Sequence, residues 1–169
     1  MTSRKSTKEK SKERQDNRLD DKMPYEKVRS THSQKTHINN ETPKRLFSNF
    51  IDMKVYLVDG LYVRNHLDID FVMGGNGARY SYVPEGEIWI EEVYETKRID
   101  MSACALHEFY ECWLMKNKNM SYDDAHDSAS KIEKLFRTWV QKYEDTLTSL
   151  QMVKSAEILV KAKINKKEK

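Results

Sequence analysis

Ile99-Asp100-Met101-Ser102-Ala103-Cys104-Ala105-Leu106-His107-Glu108-Phe109-Tyr110-Glu111-Cys112-Trp113-Leu114-Met115 contains neither glycine nor proline, and its apolar residues recur at helical spacing. That period predicts an amphipathic helix beginning near Asp100 or Ser102, both good N-caps, and running to about Asn117. On it His107 and Glu111 are four residues apart and share a face, with Glu108 beside them. A His and a carboxylate at i and i+4, next to a second Glu, let one helical turn offer two metal ligands and a general base. The plainer reading of these residues is the polar edge of an amphipathic helix. With Leu106 at zero and about 100° per residue, His107 falls near 100° and Glu111 near 140°. The pair therefore borders the apolar face, where part-buried ligands belong.

Downstream, Lys116-Asn117-Lys118-Asn119-Met120 is a short connector. Ser121 is an N-cap candidate with Asp124 three residues on, resembling a capping box with Asp in place of Glu. Tyr122, Ala125, Ala129, Ile132, Phe136, Trp139 and Tyr143 then form an apolar stripe at spacings of three and four. Helices joined by so short a connector lie antiparallel. Glu111 is eight residues before Asn119 and His126 seven after it, so the two stand at one level of the hairpin. His107, Glu111 and His126 then make two imidazoles and one carboxylate, a set suited to a catalytic zinc, or another divalent metal, with an open fourth position. Glu108 falls where a general base for a metal-bound water would sit. Cys104, one turn before His107, is a further candidate ligand, although core filling is the commoner role of such a residue. Asp123 and Asp127 are candidates to fix the His126 ring. The alternative is that they suit the first turn of a helix and its dipole. A last helix runs from Leu147 to about Lys163 and ends among lysines.

Upstream, Lys54–Val58 reads as a strand, Asp59-Gly60 as a hairpin turn and Leu61–Arg64 as a second strand. Asn65–Phe71 alternates polar and apolar residues, which predicts a strand with His66, Asp68 and Asp70 on one face. Those three either line a cleft and bind a cation or form a solvated face. Gly74-Gly75-Asn76-Gly77 reads as a turn, Arg79–Val83 as a strand, and Pro84-Glu85-Gly86 as a turn. Glu87–Glu91 alternates strongly and should be a strand with Ile88 and Ile90 facing one way. The expected fold class is α+β: a small antiparallel sheet, then a helical hairpin and a C-terminal helix.

Charge divides the 169 residues into three. Residues 1–45 hold 13 Lys/Arg against 7 Asp/Glu, and residues 154–169 hold 6 Lys against 2 Glu. Residues 46–153 are left with 11 basic against 18 acidic side chains, so the sequence pI of 8.7 belongs to the tails. The N-terminal arm is nearly free of aliphatic residues and cannot offset its ordering entropy, so residues 1–45 are expected to be a disordered basic arm. Such an arm can bind nucleic acid through phosphate contacts, or it is a solvated tail. Residues 46–153 form the domain and residues 154–169 a basic helix end or tail. The N-terminus lacks the apolar core of a signal peptide and no stretch is long enough to span a bilayer, so no membrane partner is expected. Cys104 and Cys112, eight apart on one helix, are about 12 Å apart at 1.5 Å per residue, too far for a disulfide. Free thiols suit a reducing, intracellular compartment.

Several blocks resemble a known family. Tyr62–Phe71, Gly74-Gly75, Tyr82–Ile90, Leu106-His107-Glu108 with Glu111, and Met120–Asp127 are similar, in this order, to short phage and mobile-element proteins of a zincin-like metallopeptidase family. The resemblance implies a zincin-like fold with Glu87–Glu91 as an edge strand alongside the motif helix, able to align an extended peptide or protein substrate. It matches His107 and His126 to the family's histidines, Glu108 to the acid after the first, and Glu111 to the remaining carboxylate. The chain departs from the His-Glu-x-x-His pattern of zincins by placing Glu111 at the second histidine. With the resemblance, the expected function is metal-dependent hydrolysis by a zincin-like peptidase of viral or phage origin that uses a metal-bound water, in the host cytoplasm or virion. The alternative is a non-catalytic viral structural or nucleic-acid-binding protein with basic tails.

Overall fold

The computed structural model describes Pro24, residues 42–143 and residues 149–167. Of the N-terminal arm only Pro24 and residues 42–45 fall within these, so the expected disorder lies outside the described residues, as does the expected start of the last helix at Leu147. The chain is α+β, with four short strands in one sheet and four α-helices among the described residues.

Strand β1 (Lys44–Phe50) and strand β2 (Met53–Val58) are antiparallel, with Phe50 opposite Met53 and Ile51 in the left-handed region at φ 58°. The first described strand thus begins two residues before Leu46, where the sequence placed the start of the domain. Asp59 and Gly60 do not turn the chain into another strand. Asp59 Oδ1 accepts hydrogen bonds from the backbone N–H groups of Leu61 (2.9 Å) and Tyr62 (3.0 Å), which makes it the N-cap of helix α1 (Gly60–His66). Arg64, on that helix, pairs with Glu91. The segment read as strands Leu61–Arg64 and Asn65–Phe71 is therefore a helix followed by turns, because a side-chain cap and a long-range ion pair outweigh local β propensity.

Strand β3 (Gly74–Asn76) occupies the stretch expected to be a turn, and Arg79–Val83, expected to be a strand, is a series of turns. Strand β4 (Glu87–Glu91) is found as expected. Sheet order is β1-β2-β4-β3, with β2 and β4 parallel and β3 antiparallel to β4. The sheet is therefore mixed rather than antiparallel. β4 is interior, paired on both sides, so it cannot take a substrate strand. The edge on that side is β3, whose three residues are all buried.

The pleat sorts β4 as predicted. Ile88 and Ile90 join the main core with Val55 and Leu57, while Trp89 faces the other way, into a small cluster with Val58, Val63, Phe71 and Val83. The main face is covered by helix α2 (Arg98–Lys118), reached through a short 3-10 turn at Glu92–Tyr94. From Met101 to Met115 every α2 residue except Trp113 is buried, since the sheet lies on one side and helices α3 (Tyr122–Tyr143) and α4 (Ser149–Lys167) on the other. Asn119, left-handed at φ 50°, ends α2. Ser121 caps the start of α3 with half of the expected box: its Oγ accepts from the Asp124 backbone N–H at 3.3 Å, while Asp124 Oδ2 accepts from the Ser121 hydroxyl at 2.8 Å. The buried α3 stripe is Ala125, Ala129, Ile132, Phe136 and Val140. Trp139 and Tyr143 of the expected stripe lie mainly outside it, and Val140 takes the inward place. Met152, Ala156 and Val160 of α4 complete the layer.

Candidate metal centre

α2 and α3 cross the connector as an antiparallel pair, and this brings His107, Glu111 and His126 together with all three ligand atoms within 4.8 Å of one another. Glu111 Oε2 is 2.9 Å from His126 Nδ1 and 3.4 Å from His107 Nε2, and the two nitrogens are 3.1 Å apart. Donors bound to zinc at 2.0–2.1 Å in a tetrahedron are about 3.3 Å from one another, so the triangle has the size of one tetrahedral face. Two imidazoles and a carboxylate are also the donor types that such an ion accepts. The residues present thus fit a divalent metal ion. Glu111 and His107 are buried, and His126 sits at the outer side with 43% of its side chain exposed.

Further side chains orient the triangle. His107 Nδ1 is 2.8 Å from Glu133 Oε2, while Glu133 Oε1 accepts from Arg137 Nε at 2.8 Å. Arg137 also donates to Asp100 Oδ1 at 2.5 Å. A carboxylate on Nδ1 holds the proton there and points the Nε2 lone pair at the triangle. The Tyr122 hydroxyl lies 3.5 Å from His126 Nδ1 and its ring tilts against the imidazole. On the sheet side Asn76, fully buried in β3, donates from Nδ2 to Glu108 Oε2 and to Glu111 Oε1, both at 2.9 Å. β3 reaches this close because residue 74 is glycine. A Cβ there would stand 2.5 Å from Cys104 Sγ and 3.1 Å from the Trp89 carbonyl oxygen.

Without a cation, three atoms that accept hydrogen bonds cannot converge unless protons lie between them, and the titration of the groups reflects this. Burial alone would lower His107, but hydrogen bonds to Glu111 and Glu133 override it and push the imidazole up to about 10. His126 is raised, chiefly by its hydrogen bond to Glu111. Burial would raise Glu111, yet its bonds to both imidazoles hold it below the ordinary carboxylate range. Glu108 moves the other way: burial first, and the neighbouring Glu111 charge second, push it up to about 7.

Each expected site residue now has a place. His107, Glu111 and His126 meet, and Glu108 sits one amide away, on Asn76. Cys104 is a free thiol buried against β3, pushed well above its ordinary pKa by burial, and it fills core rather than ligating. His126 is held by Glu111, His107 and Tyr122, and the supporting carboxylate proves to be Glu133, on His107, rather than Asp123 or Asp127 on His126. His66, Asp68 and Asp70 share no strand face. His66 folds back onto Tyr62, and Asp68 accepts from the Asp70 backbone N–H at 3.0 Å and the Tyr82 hydroxyl at 3.4 Å.

Glu133 carried a signal that the level argument passes over. It lies seven residues beyond His126, on the same face of α3 two turns on, and about as far past Asn119 as His107 is before it. Asn76 carried none, since only the pairing of β3 with β4 brings it to α2. No known protein family, curated protein or solved structure matches the chain. Among the described residues no helix is long and apolar enough to cross a membrane.

Proposed function

We propose that the chain is a metal-dependent hydrolase, a zincin-like peptidase of the phage and mobile-element kind, in which His107, Glu111 and His126 hold zinc or a similar divalent ion. The observation that carries this reading is the convergence of the three donor atoms at 2.9, 3.1 and 3.4 Å on one buried corner of the α2–α3 pair. An ion held there would supply Lewis acidity and lower the pKa of a water bound to it.

The protein's own groups divide the remaining work. Glu133 keeps a proton on His107 Nδ1 and so keeps Nε2 a donor to the ion. Glu108 is placed to move a proton. Its Oε2 is occupied by the Asn76 amide, which leaves Oε1 to take a proton from water and return it to a leaving group. A carboxyl pushed up to about 7 exchanges protons in both directions near neutral pH. Substrate does not align along β4, so the open side of the site, where His126 is exposed, is the side from which a substrate approaches.

A second reading has an observation of its own. The polar side chains form two hydrogen-bonded arms, Asp100–Arg137–Glu133–His107 and His126–Glu111–Asn76–Glu108, and protons on the two imidazole nitrogens that face Glu111 Oε2 join them there. In that case the network fixes the packing of a non-catalytic structural protein, whose basic tails bind nucleic acid. Metal analysis of protein purified without chelators separates the two. The expected result is about one zinc-like ion per chain, lost in Glu111→Ala and His126→Ala, and retained in Glu108→Gln with hydrolysis of unstructured protein substrates abolished. Metal-free wild-type protein that takes up no added zinc would overturn the first reading in favour of the second.

A further inference from the structure

Glu108 and Glu111 are three residues apart on α2 and therefore neighbours on its surface, and both are buried. Two carboxylates in this situation repel each other, and each left to itself would swing toward the nearest cation. The structure places one group between them. Asn76 Nδ2 carries two protons, and each is given to one carboxylate, at 2.9 Å in both cases. The other end of the same amide is fixed as firmly. Oδ1 accepts from the backbone N–H groups of Ala78 at 3.0 Å and Arg79 at 3.2 Å. Because two backbone donors demand the oxygen on that side, the amide cannot flip, and its nitrogen must face the carboxylates.

The bond to Asn76 also separates the two oxygens of Glu111. Oε1 is engaged by the amide and Oε2 faces the imidazoles. Glu111 can then bind an ion through one oxygen only. Glu108 is held back by the same nitrogen, so it does not enter the ligand set as a fourth protein donor.

We infer that Asn76 is a positioning residue for the metal centre: it makes Glu111 a one-oxygen ligand and keeps Glu108 out of coordination, which leaves the fourth position open. This inference rests on the metal reading above. A carboxamide suits the role because it presents two donors on one side and an acceptor on the other. An aspartate at 76 would keep the acceptor for Ala78 and Arg79 but offer at most one proton where two are needed.

The test replaces zinc by cobalt(II), whose visible absorption reports ligand number and symmetry, in wild-type protein and Asn76→Asp. A metal-binding wild type with a four-coordinate spectrum, together with an Asn76→Asp protein that shows a five-coordinate or otherwise altered spectrum and about 10–100-fold weaker zinc binding, is the expected result. If Asn76 only caps its turn, Asn76→Asp keeps that cap and leaves both spectrum and affinity at wild-type values, which would overturn the inference while leaving the metal reading intact. A wild type that binds no cobalt would remove both. Should Asn76→Asp fail to fold, as judged by circular dichroism, the pair Asn76→Asp with Glu108→Gln exchanges amide and acid and restores a donor between positions 76 and 108. In that pair Glu111 still lacks its amide donor, so its cobalt spectrum is expected to differ from that of Glu108→Gln alone. Identical spectra would again count against Asn76.

Discussion

Replacing Glu133 tests whether His107 is tuned as a ligand or merely packed. The Glu133 carboxylate lies 2.8 Å from His107 Nδ1, with only 22% of its side chain exposed, and it is steadied by Arg137, itself tied to Asp100. It fixes the tautomer, aims Nε2 at Glu111 and His126, and strengthens the imidazole as a base. Losing such a partner weakens metal binding by about 10–100-fold, which is about 1.4–2.7 kcal/mol of binding free energy. Glu133→Gln keeps an oxygen that can accept from Nδ1 and loses only the charge, so it belongs at the tenfold end. Glu133→Ala loses orientation as well and belongs at the hundredfold end. The assay is competition for zinc against a chromophoric chelator at one fixed pH, with circular dichroism confirming that α3 is intact. Equal losses in Gln and Ala would assign the effect to charge alone. Wild-type affinity in Glu133→Ala would refute the reasoning, because the Glu133 carboxylate is the partner that fixes the proton on His107 Nδ1.

Two further outcomes follow from the same geometry. Because the folded protein raises His107 from 6.5 to about 10, the contribution of the protonated ring to stability is full below about pH 6.5 and is lost as pH rises through about 10. The urea midpoint of the metal-free protein should fall across that window, and zinc binding near pH 7 should release at least about one proton, measured by calorimetry in buffers of different ionisation enthalpy. Proton-free binding would contradict the assignment of His107 as a ligand. Gly74→Ala sets a Cβ against Cys104 Sγ and the Trp89 carbonyl oxygen, so β3 must retreat from α2. A loss of about 1–3 kcal/mol in urea unfolding is expected, together with weaker zinc binding as Asn76 withdraws; a variant as stable as wild type would mean that β3 is not wedged as described.

What the sequence disclosed was what short-range physics controls. The α2 and α3 helices, the Ser121 cap, the level matching of Glu111 and His126, and the two-faced pleat of β4 all rest on periodicity, capping or the length of one connector. What it hid depended on partners far along the chain. Asp59-Gly60 serves a hairpin or a helix start equally well, and the choice falls to the helix because Asp59 captures two backbone donors and Arg64 finds Glu91. Gly74-Gly75-Asn76 has no strand propensity and becomes a strand because β4 offers a ladder and the missing Cβ lets α2 come close. The parallel β2–β4 pairing is a crossover that no local pattern announces.

The carboxylate of Glu111 in the donor triangle has a consequence in charge. A third imidazole would leave the donor triangle neutral, whereas Glu111 makes it negative, beside Glu108 and within the reach of Glu133. Arg137 answers the charge of Glu133 and is shared with Asp100. The corner therefore needs positive charge, from protons on His107 and His126 or from a metal in their place, since a buried charge left uncompensated costs several kcal/mol, on the order of the protein's whole stability. Proton and metal thus compete for one electrostatic vacancy. If His107 holds a proton at neutral pH only because Glu111 and Glu133 demand a cation, then zinc binding must expel that proton. If the proton stays, the corner is a structural network, and the donor triangle is its packing rather than a site.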